Sequence, residues 1–146
     1  MLIAKDPAYL EGVANHPDVF PQVSIRDQDR IDLAPIWPGC VACQFEGGGY
    51  VFLPHGEGLW EVHVLFLRHS KGVHAAGVEA IGHLFDNLGA GRIAAHLPDD
   101  VPAARRLALR LGFEFHSHTD PFPRHSGDVP ARLYVLTKER FHHVNR

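Results

Sequence analysis

Apolar and polar positions along the chain follow two periods, and each period predicts a different kind of element. Short apolar runs separated by glycine-rich breaks predict a meander of three antiparallel strands at residues 40–46, 50–54 and 59–67. Apolar residues within 73–88 recur every three and four positions, which predicts an amphipathic helix. Beyond it, the pattern predicts a strand at 92–97, a helix that begins near Pro102 and ends at Gly112, and strands at 113–118 and 132–137.

The remaining segments are a short N-terminal helix and two loops. Residues 6–23 hold the helix, because Asp6 can cap it and Pro7 suits its first turn. Residues 24–38 and 119–130 are polar or rich in proline and predict loops, and Asp99 and Asp100 signal the start of the second long helix. This order of elements, without a repeat or a linker, predicts one α/β (α+β) domain over residues 1–146. Its mixed sheet would have about six strands, with helices on both faces.

Length and charge narrow the classes of function. At 146 residues and 16.2 kDa the chain can bury one sizeable core without a metal or disulfide. Its net charge of -3 and pI near 6.4 argue against general binding to nucleic acid. No apolar run approaches the roughly 18 residues of a membrane span, and the first residues lack a signal-peptide pattern. We therefore expect a cytoplasmic protein with neither nucleic acid nor membrane as a partner.

Cysteine and histidine offer two candidate metal sites. Cys40 and Cys43 form a C-x-x-C pair on a predicted strand, where the thiols would point roughly together, but no second pair of ligands accompanies them. His116, His118 and His125 could supply imidazoles, but no carboxylate with matching spacing accompanies them. We therefore expect ordinary reduced thiols and no metal. A small histidine-metal hydrolase is the least favoured reading, because the chain lacks a nucleophile motif such as G-x-S-x-G.

The junction at residues 60–75 is the first candidate for ligand binding. A strand runs into a short polar loop that contains Lys71 and Gly72, and the long helix begins at once. The first N–H groups of a helix have no intrahelical partner, and the helix dipole favours an anion there. The junction is therefore consistent with a phosphate site, although a plain strand-to-helix turn would show the same residues.

The segment Pro98-Asp-Asp-Val-Pro-Ala-Ala-Arg-Arg-Leu-Ala-Leu-Arg-Leu-Gly-Phe113 resembles the closing motif of the GNAT superfamily of N-acetyltransferases, N-x-x-A-x-x-L-Y-x-K-x-G-F. The matching positions are Ala104, Leu107, Arg110, Gly112 and Phe113. Residues 68–75 then resemble the pyrophosphate loop of that family, Q/R-x-x-G-x-G/A, with Gly72 at its middle glycine. The resemblance covers residues 40–137 and is strongest to acetyltransferase-like proteins of phages and prophages. It implies a sheet splayed where the third and fourth long strands separate.

The resemblance implies acetyl-CoA as the cofactor and an amine as the acceptor, with a homodimer as a further expectation. Proton removal from the amine would fall to Glu61 or His63, which are two residues apart on one strand and share a face. Tyr134 would stand in for the usual tyrosine as the acid. The residues expected at the cofactor are Leu65, Phe66, Leu67, Arg68, His69, Lys71, Gly72, Val73, His74 and Ala75.

Four departures from the family pattern keep a second reading open. His69 and His74 stand at positions that the loop usually fills with Gln or Arg and with glycine, and Val101 and Ala108 replace the Asn and Tyr of the helix. The alternative is a non-catalytic protein on the same fold, of phage origin, that acts in assembly or in interaction with a host.

Overall fold

A seven-stranded mixed sheet is the framework of the computed structural model, which describes residues 1–145. Its strand order is β1-β2-β3-β4-β5-β7-β6. The strands are β1 (Leu2–Ile3), β2 (Val41–Phe45), β3 (Gly48–Gly56), β4 (Leu59–Phe66), β5 (Arg92–Pro98), β6 (Glu114–Arg124) and β7 (Gly127–Thr137). The helices are α1 (Ala8–Ala14), α2 (Phe20–Val23), α3 (Val73–Asn87), α4 (Pro102–Leu111) and α5 (Lys138–Val144), with a 3-10 turn at Trp37–Gly39. No helix within residues 1–145 is long and apolar enough to cross a membrane.

The predicted mixed α/β architecture is confirmed. β2, β3 and β4 form the antiparallel meander, and β4 and β5 are parallel neighbours joined by α3. This crossover is needed because parallel strands cannot be joined by a tight turn. The seventh strand is the two-residue β1, which pairs with the outer edge of β2.

Two hydrophobic cores lie on opposite faces of the sheet. Alternate strand residues such as Phe52 and Ile93 pack under α3, α4 and α5 in the larger core. Val51 and Leu65 point the other way and pack against α1 and the 24–38 segment, in a smaller core around Leu10. Helices therefore cover both faces, as the alternation predicts. We call these the α3 face and the α1 face.

The expectation for the C-x-x-C pair is wrong in one respect. Cys43 is buried in the core of the α3 face, whereas Cys40 precedes β2 and packs against the core of the α1 face. The sheet therefore lies between the two thiols, and they do not point together. Burial raises the pKa of Cys43 to about 11, which keeps this thiol protonated and unreactive.

Residues 119–130 are not the predicted loop. β6 continues to Arg124 and β7 begins at Gly127, so these residues form a hairpin. Pro121 and Pro123 are tolerated because β6 is an edge strand, which can leave backbone positions unpaired. Pro130 lies on β7 where the register with β6 shifts, so it has no paired position to disrupt. The last residues are also more ordered than the sequence indicates, since α5 buries Phe141 against the core of the α3 face.

A buried arginine fastens this hairpin to the rest of the chain. The Arg124 side chain is only 4% exposed, and its Nε and Nη2 donate to the two carboxylate oxygens of Asp100, each at 3.1 Å. The same guanidinium donates to the backbone carbonyls of Ser24 at 2.6 Å and of Gln22 at 2.8 Å. It therefore joins β6, the segment before α4 and the end of α2. The spacing of these segments in the sequence did not predict that they meet.

We expect Arg124→Met to lower the free energy of unfolding by roughly 2–4 kcal/mol, because it removes a buried guanidinium that pairs with a partly exposed carboxylate, and it leaves two carbonyls without their donor. Urea denaturation of the purified chain measures this loss. Arg26→Met is the matched control, since Arg26 pairs with Asp128 at the surface and should cost less than about 1 kcal/mol. Equal losses in the two variants would contradict the role given to Arg124.

Candidate functional site

The central feature of the site is an opening between β4 and β5. The two strands pair at only three positions, of which Glu61–Ala94 is the last. Beyond it β4 continues to Phe66 and β5 to Pro98 without pairing with each other. Residues 62–66 are paired with β3 on one side, so the other edge of this stretch carries backbone groups that have no strand partner. An extended ligand can add to such an edge as a strand does.

The two faces of β4 give the opening two different walls. Val62 and Val64 point into the core of the α3 face, and Leu65 points into the core of the α1 face. Glu61 and His63 alternate with Val62 and Val64, so both carry their side chains on the α1 face. The titratable groups therefore lie on the side of the sheet opposite to α3 and α4.

A carboxylate held between two imidazoles occupies the α1 face at the narrow end of the opening. Glu61 Oε1 lies 3.0 Å from Nε2 of His63, and Glu61 Oε2 lies 2.8 Å from Nε2 of His55. These contacts hold the pKa of Glu61 near 2, chiefly because of the hydrogen bond with His63, and against the opposing effect of partial burial. Glu61 is therefore ionised at any physiological pH. The two histidines, about half-exposed, remain accessible from solvent.

The chemical capacity of this cluster follows from the low pKa of Glu61. A carboxylate that titrates near 2 is too weak a base to take a proton from an amine efficiently at neutral pH. An imidazole titrates closest to neutrality among the side chains, and a hydrogen-bonded carboxylate orients it and stabilises its protonated form. The geometry suits His63 as the base and Glu61 as the group that orients it.

His55 is the member of the cluster that sequence reasoning missed. It lies in a stretch that resembles a glycine-rich turn, but β3 runs on to Gly56. The turn is the two-residue Glu57-Gly58, with positive φ at both residues, and the register shifts between Pro54 and Gly56. This bulge places His55 beside Glu61. Counting the register back from a two-residue turn was the one signal that could have found it.

The β4–α3 loop presents the start of α3 without any blocking side chain. Gly72 at the N-cap has a φ of 72°, no side chain caps the helix, and its first turn contains no acidic residue. Upstream, Ser70 donates to the Leu67 carbonyl through its N–H at 3.1 Å and its hydroxyl at 2.6 Å, which fixes the loop. His69 adopts a φ of 65°, a conformation that few residues other than glycine accept. The first N–H groups of a 15-residue helix therefore meet the loop with no acidic residue in the first helical turn.

A shallow cavity of about 290 Å³ borders this helix start. Phe66, Lys71 and Ala75 contribute to its walls, together with the carboxylates of Glu46 and Glu79. A hydrogen bond from β3 holds the start of the helix in place, because the Tyr50 hydroxyl donates to the Val73 carbonyl at 2.7 Å. In the first turn, Nε2 of His74 is buried without a hydrogen-bond partner among residues 1–145.

The other residues singled out by the sequence lie elsewhere. Tyr134 is on β7 opposite Ala95 and is buried in the core of the α3 face, on the other side of the sheet from Glu61 and His63. Its role as the acid stays a prediction. Within residues 1–145 no group of three or more His, Cys, Asp or Glu side chains is arranged to hold a metal ion.

Asp99 and Asp100 precede α4 as predicted, but neither caps it. Asp99 pairs with Arg132, and Asp100 pairs with Arg124. The two carboxylates that signalled a helix start therefore fasten β7 and β6 to this end of the sheet.

Comparison with known proteins gives a consistent result at the level of fold. No protein-family model matches the chain, and no curated protein matches it. Among solved structures, a spermidine/spermine N-acetyltransferase from Vibrio cholerae superposes with a TM-score of 0.60 at 14% identity, over 66% of this chain and 60% of its own. This chain thus spans less than two thirds of the length of that protein.

Two further structures are similar. An acetyltransferase of the GNAT family from Bacillus anthracis has a TM-score of 0.56 at 15% identity, over 68% of this chain and 65% of its own. A protein described as a probable acetyltransferase has a TM-score of 0.70 at 16% identity, over 95% of this chain and 91% of its own. At such identities the likeness establishes architecture and not activity. This chain has the fold of the GNAT acetyltransferases.

Proposed function

We propose that the protein is an acetyl-CoA-dependent N-acetyltransferase that acts on an amine. The observation that carries the proposal is the free inner edge of β4, which opens inside a continuous sheet and leads directly to the uncapped start of α3. A strand edge in the interior of a sheet normally has a partner, because unpaired backbone groups are costly when water is excluded. A bound ligand with amide groups would supply that partner.

The residues around the opening fit coenzyme A. The backbone of Leu65, Phe66 and Leu67 would pair with the amides of the pantetheine arm. The N–H groups of Lys71, Gly72, Val73, His74 and Ala75 would bind the pyrophosphate, with Arg68, His69 and Lys71 adding donors or charge nearby. An added Cβ at Gly72 would meet nothing within 4 Å, so the space beside this turn is open to a ligand. When bound, acetyl-CoA supplies an activated acyl group.

Proton transfer is the task that the chain's own side chains perform. His63 accepts a proton from the amine, and the Glu61 carboxylate, 3.0 Å from its Nε2, stabilises the imidazolium that forms. His55 holds the second carboxylate oxygen at 2.8 Å and so fixes the orientation of Glu61. A backbone N–H on the free edge of β4 can stabilise negative charge that develops on an acyl oxygen.

Amines as a class are the acceptors that this chemistry fits. One of the similar structures is described as an enzyme that acetylates spermidine and spermine, and that description applies to that protein only. For this chain, the amine acceptor, the cytoplasmic location, the homodimer and the resemblance to phage-encoded proteins remain predictions.

The alternative is a non-catalytic protein on the same fold, and one observation favours it. Ala108 stands where the family resemblance expects a tyrosine, and it is buried in the core of the α3 face, so α4 offers no hydroxyl there. Such a protein would bind coenzyme A, or a similar extended ligand, without transferring an acyl group. A chain that binds acetyl-CoA but acetylates no member of a broad amine panel would fit this alternative.

Gly72→Asp should weaken acetyl-CoA binding at least tenfold, or about 1.4 kcal/mol, because it places a carboxylate beside the expected phosphate site. Calorimetric titration measures the affinity. Gly72→Asn is the matched control, since asparagine has the same size, accepts a positive φ and carries no charge. The loop is only a turn if Gly72→Asp folds normally and binds acetyl-CoA as the wild type does.

His63→Gln should lower kcat with little change in acetyl-CoA affinity, because a base acts on the amine and not on the cofactor. The acidic limb of the pH–rate profile should be lost in this variant. Glu61→Gln should also lower kcat but retain that limb, because Glu61, with a pKa near 2, does not titrate between pH 5 and 8. Profiles of kcat against pH for the three proteins test this assignment.

The low pKa of Glu61 also predicts the direction of a stability change. Its ionised form is favoured by folding, so its stabilising contribution is present above the ordinary carboxyl pKa of 4.5 and is lost as pH falls towards 2. The gap in unfolding free energy between wild type and Glu61→Gln should therefore narrow over this range, as denaturation at several pH values would show. A gap that widens on acidification would contradict the ion-paired carboxylate.

A further inference from the structure

A second cavity, of about 190 Å³, lies under the start of α4. Its walls come from the end of β5, the first turn of α4 and the adjacent strand β7, and we call it the α4 cavity. None of its lining residues belongs to β4, α3 or the loop between them. It is therefore separate from the cavity at the start of α3, with which it shares no residue.

Three hydrogen-bond donors of the α4 cavity have no partner to satisfy them. Tyr134 is 3% exposed and lines the cavity, and its hydroxyl makes no hydrogen bond within residues 1–145. The buried Nε of Arg132 lies 3.3 Å from the Asp99 carboxylate, but within residues 1–145 it has no hydrogen-bond partner. Arg105, on α4, forms no ion pair in the same part of the chain. Buried donors are normally satisfied, so the unpartnered Nε of Arg132 indicates an acceptor that is supplied from outside, to which Tyr134 and the exposed Arg105 can also donate.

The charge and the shape of the cavity define that acceptor. Arg105 and Arg132 carry two positive charges, and Asp99 carries one negative charge, which leaves one net positive charge. The start of α4 adds to it, because no side chain caps this helix and its first turn contains no acidic residue. Apolar side chains, including Leu97 and Val101, form the rest of the walls. This combination suits an organic monoanion better than an inorganic ion.

The ligand must also be small. A dry cavity of about 150 Å³ is large enough to bind benzene. The α4 cavity is somewhat larger, so it has room for a carboxylate with a stem of a few carbon atoms. A guanidinium group can donate two parallel hydrogen bonds to a carboxylate, and a tyrosine hydroxyl can add a third.

We infer that the α4 cavity is a binding site for the carboxylate of a small aliphatic acid, held by Arg105, Arg132 and Tyr134. The site borders the opening between β4 and β5, since Leu97 and Pro98 belong to the part of β5 that does not pair with β4, and one of its donors, Tyr134, is the predicted acid. It shares no residue with the β4–α3 loop that is proposed to bind the pyrophosphate. A ligand bound there would contact the start of α4 and the end of β5, and β5 forms one wall of that opening.

Butyrate is the probe, titrated into the full chain at constant ionic strength and followed by calorimetry or by amide chemical shifts. We expect saturable binding of one butyrate and none of n-butylammonium, which has a similar stem but the opposite charge. Arg105→Gln should weaken binding at least tenfold, and Tyr134→Phe should weaken it while the ring still fills its place. Arg106→Gln is the matched control, because Arg106 is the next residue on the same exposed part of α4 but does not line the cavity.

Two results of the butyrate titrations would overturn the inference. One is the absence of saturable butyrate binding by the wild-type chain, and the other is an equal loss of affinity in Arg105→Gln and Arg106→Gln. A third arm adds coenzyme A, which should bind alongside butyrate. Competition between the two would place the carboxylate in the cofactor groove and would also overturn the inference. Failure of coenzyme A to bind at all would contradict the proposed function, but it would not contradict carboxylate binding in the α4 cavity.

Discussion

The early end of pairing between β4 and β5 is the constraint on which the site depends. A parallel pair that stops after Glu61–Ala94 leaves two strand edges facing each other inside a sheet that is otherwise continuous. The helices α3 and α4 follow these two strands, so both helix starts come to the same end of the sheet. Backbone donors from three sources, the edge of β4 and the two helix starts, are therefore concentrated at one opening. An elongated, anionic ligand with amide groups matches this distribution.

The sheet also separates two kinds of chemistry. On the α3 face lie the helix starts and the two cavities that border them, one with Lys71 beside Glu46 and Glu79, the other with Arg105 and Arg132 beside Asp99. On the α1 face lies the Glu61 carboxylate with its two imidazoles. A ligand in the opening is accessible from both faces, so an amine that approaches from the α1 face would meet the proposed base before the proposed phosphate-binding end. The alternation of side chains along β4 is sufficient to produce this separation.

Local patterns were sufficient for most of the fold but for less of the site. The helical period of α3, the meander and the α3 crossover are properties of neighbouring residues, so the sequence predicted them and the structure confirms them. The hairpin at residues 119–130 was missed because prolines are disfavoured in a strand unless the strand lies at a sheet edge or its register shifts, and both are properties of the whole sheet. Asp99 and Asp100 were interpreted as cap signals for a similar reason, since their arginine partners are more than 20 residues away in sequence.

The bulge at His55 shows how a small backbone feature determines the chemistry of the cluster. Between Pro54 and Gly56 the strand holds one residue more than its partner, and the positive φ values of Glu57 and Gly58 complete the tight turn that follows. Without the extra residue, the positions before the turn would shift by one, and strand side chains shifted by one residue change face. Glu61 would then still contact His63, but its second carboxylate oxygen would lose the contact with the His55 imidazole. The turn therefore sets the orientation of a carboxylate four positions later, and through it the environment of the proposed base.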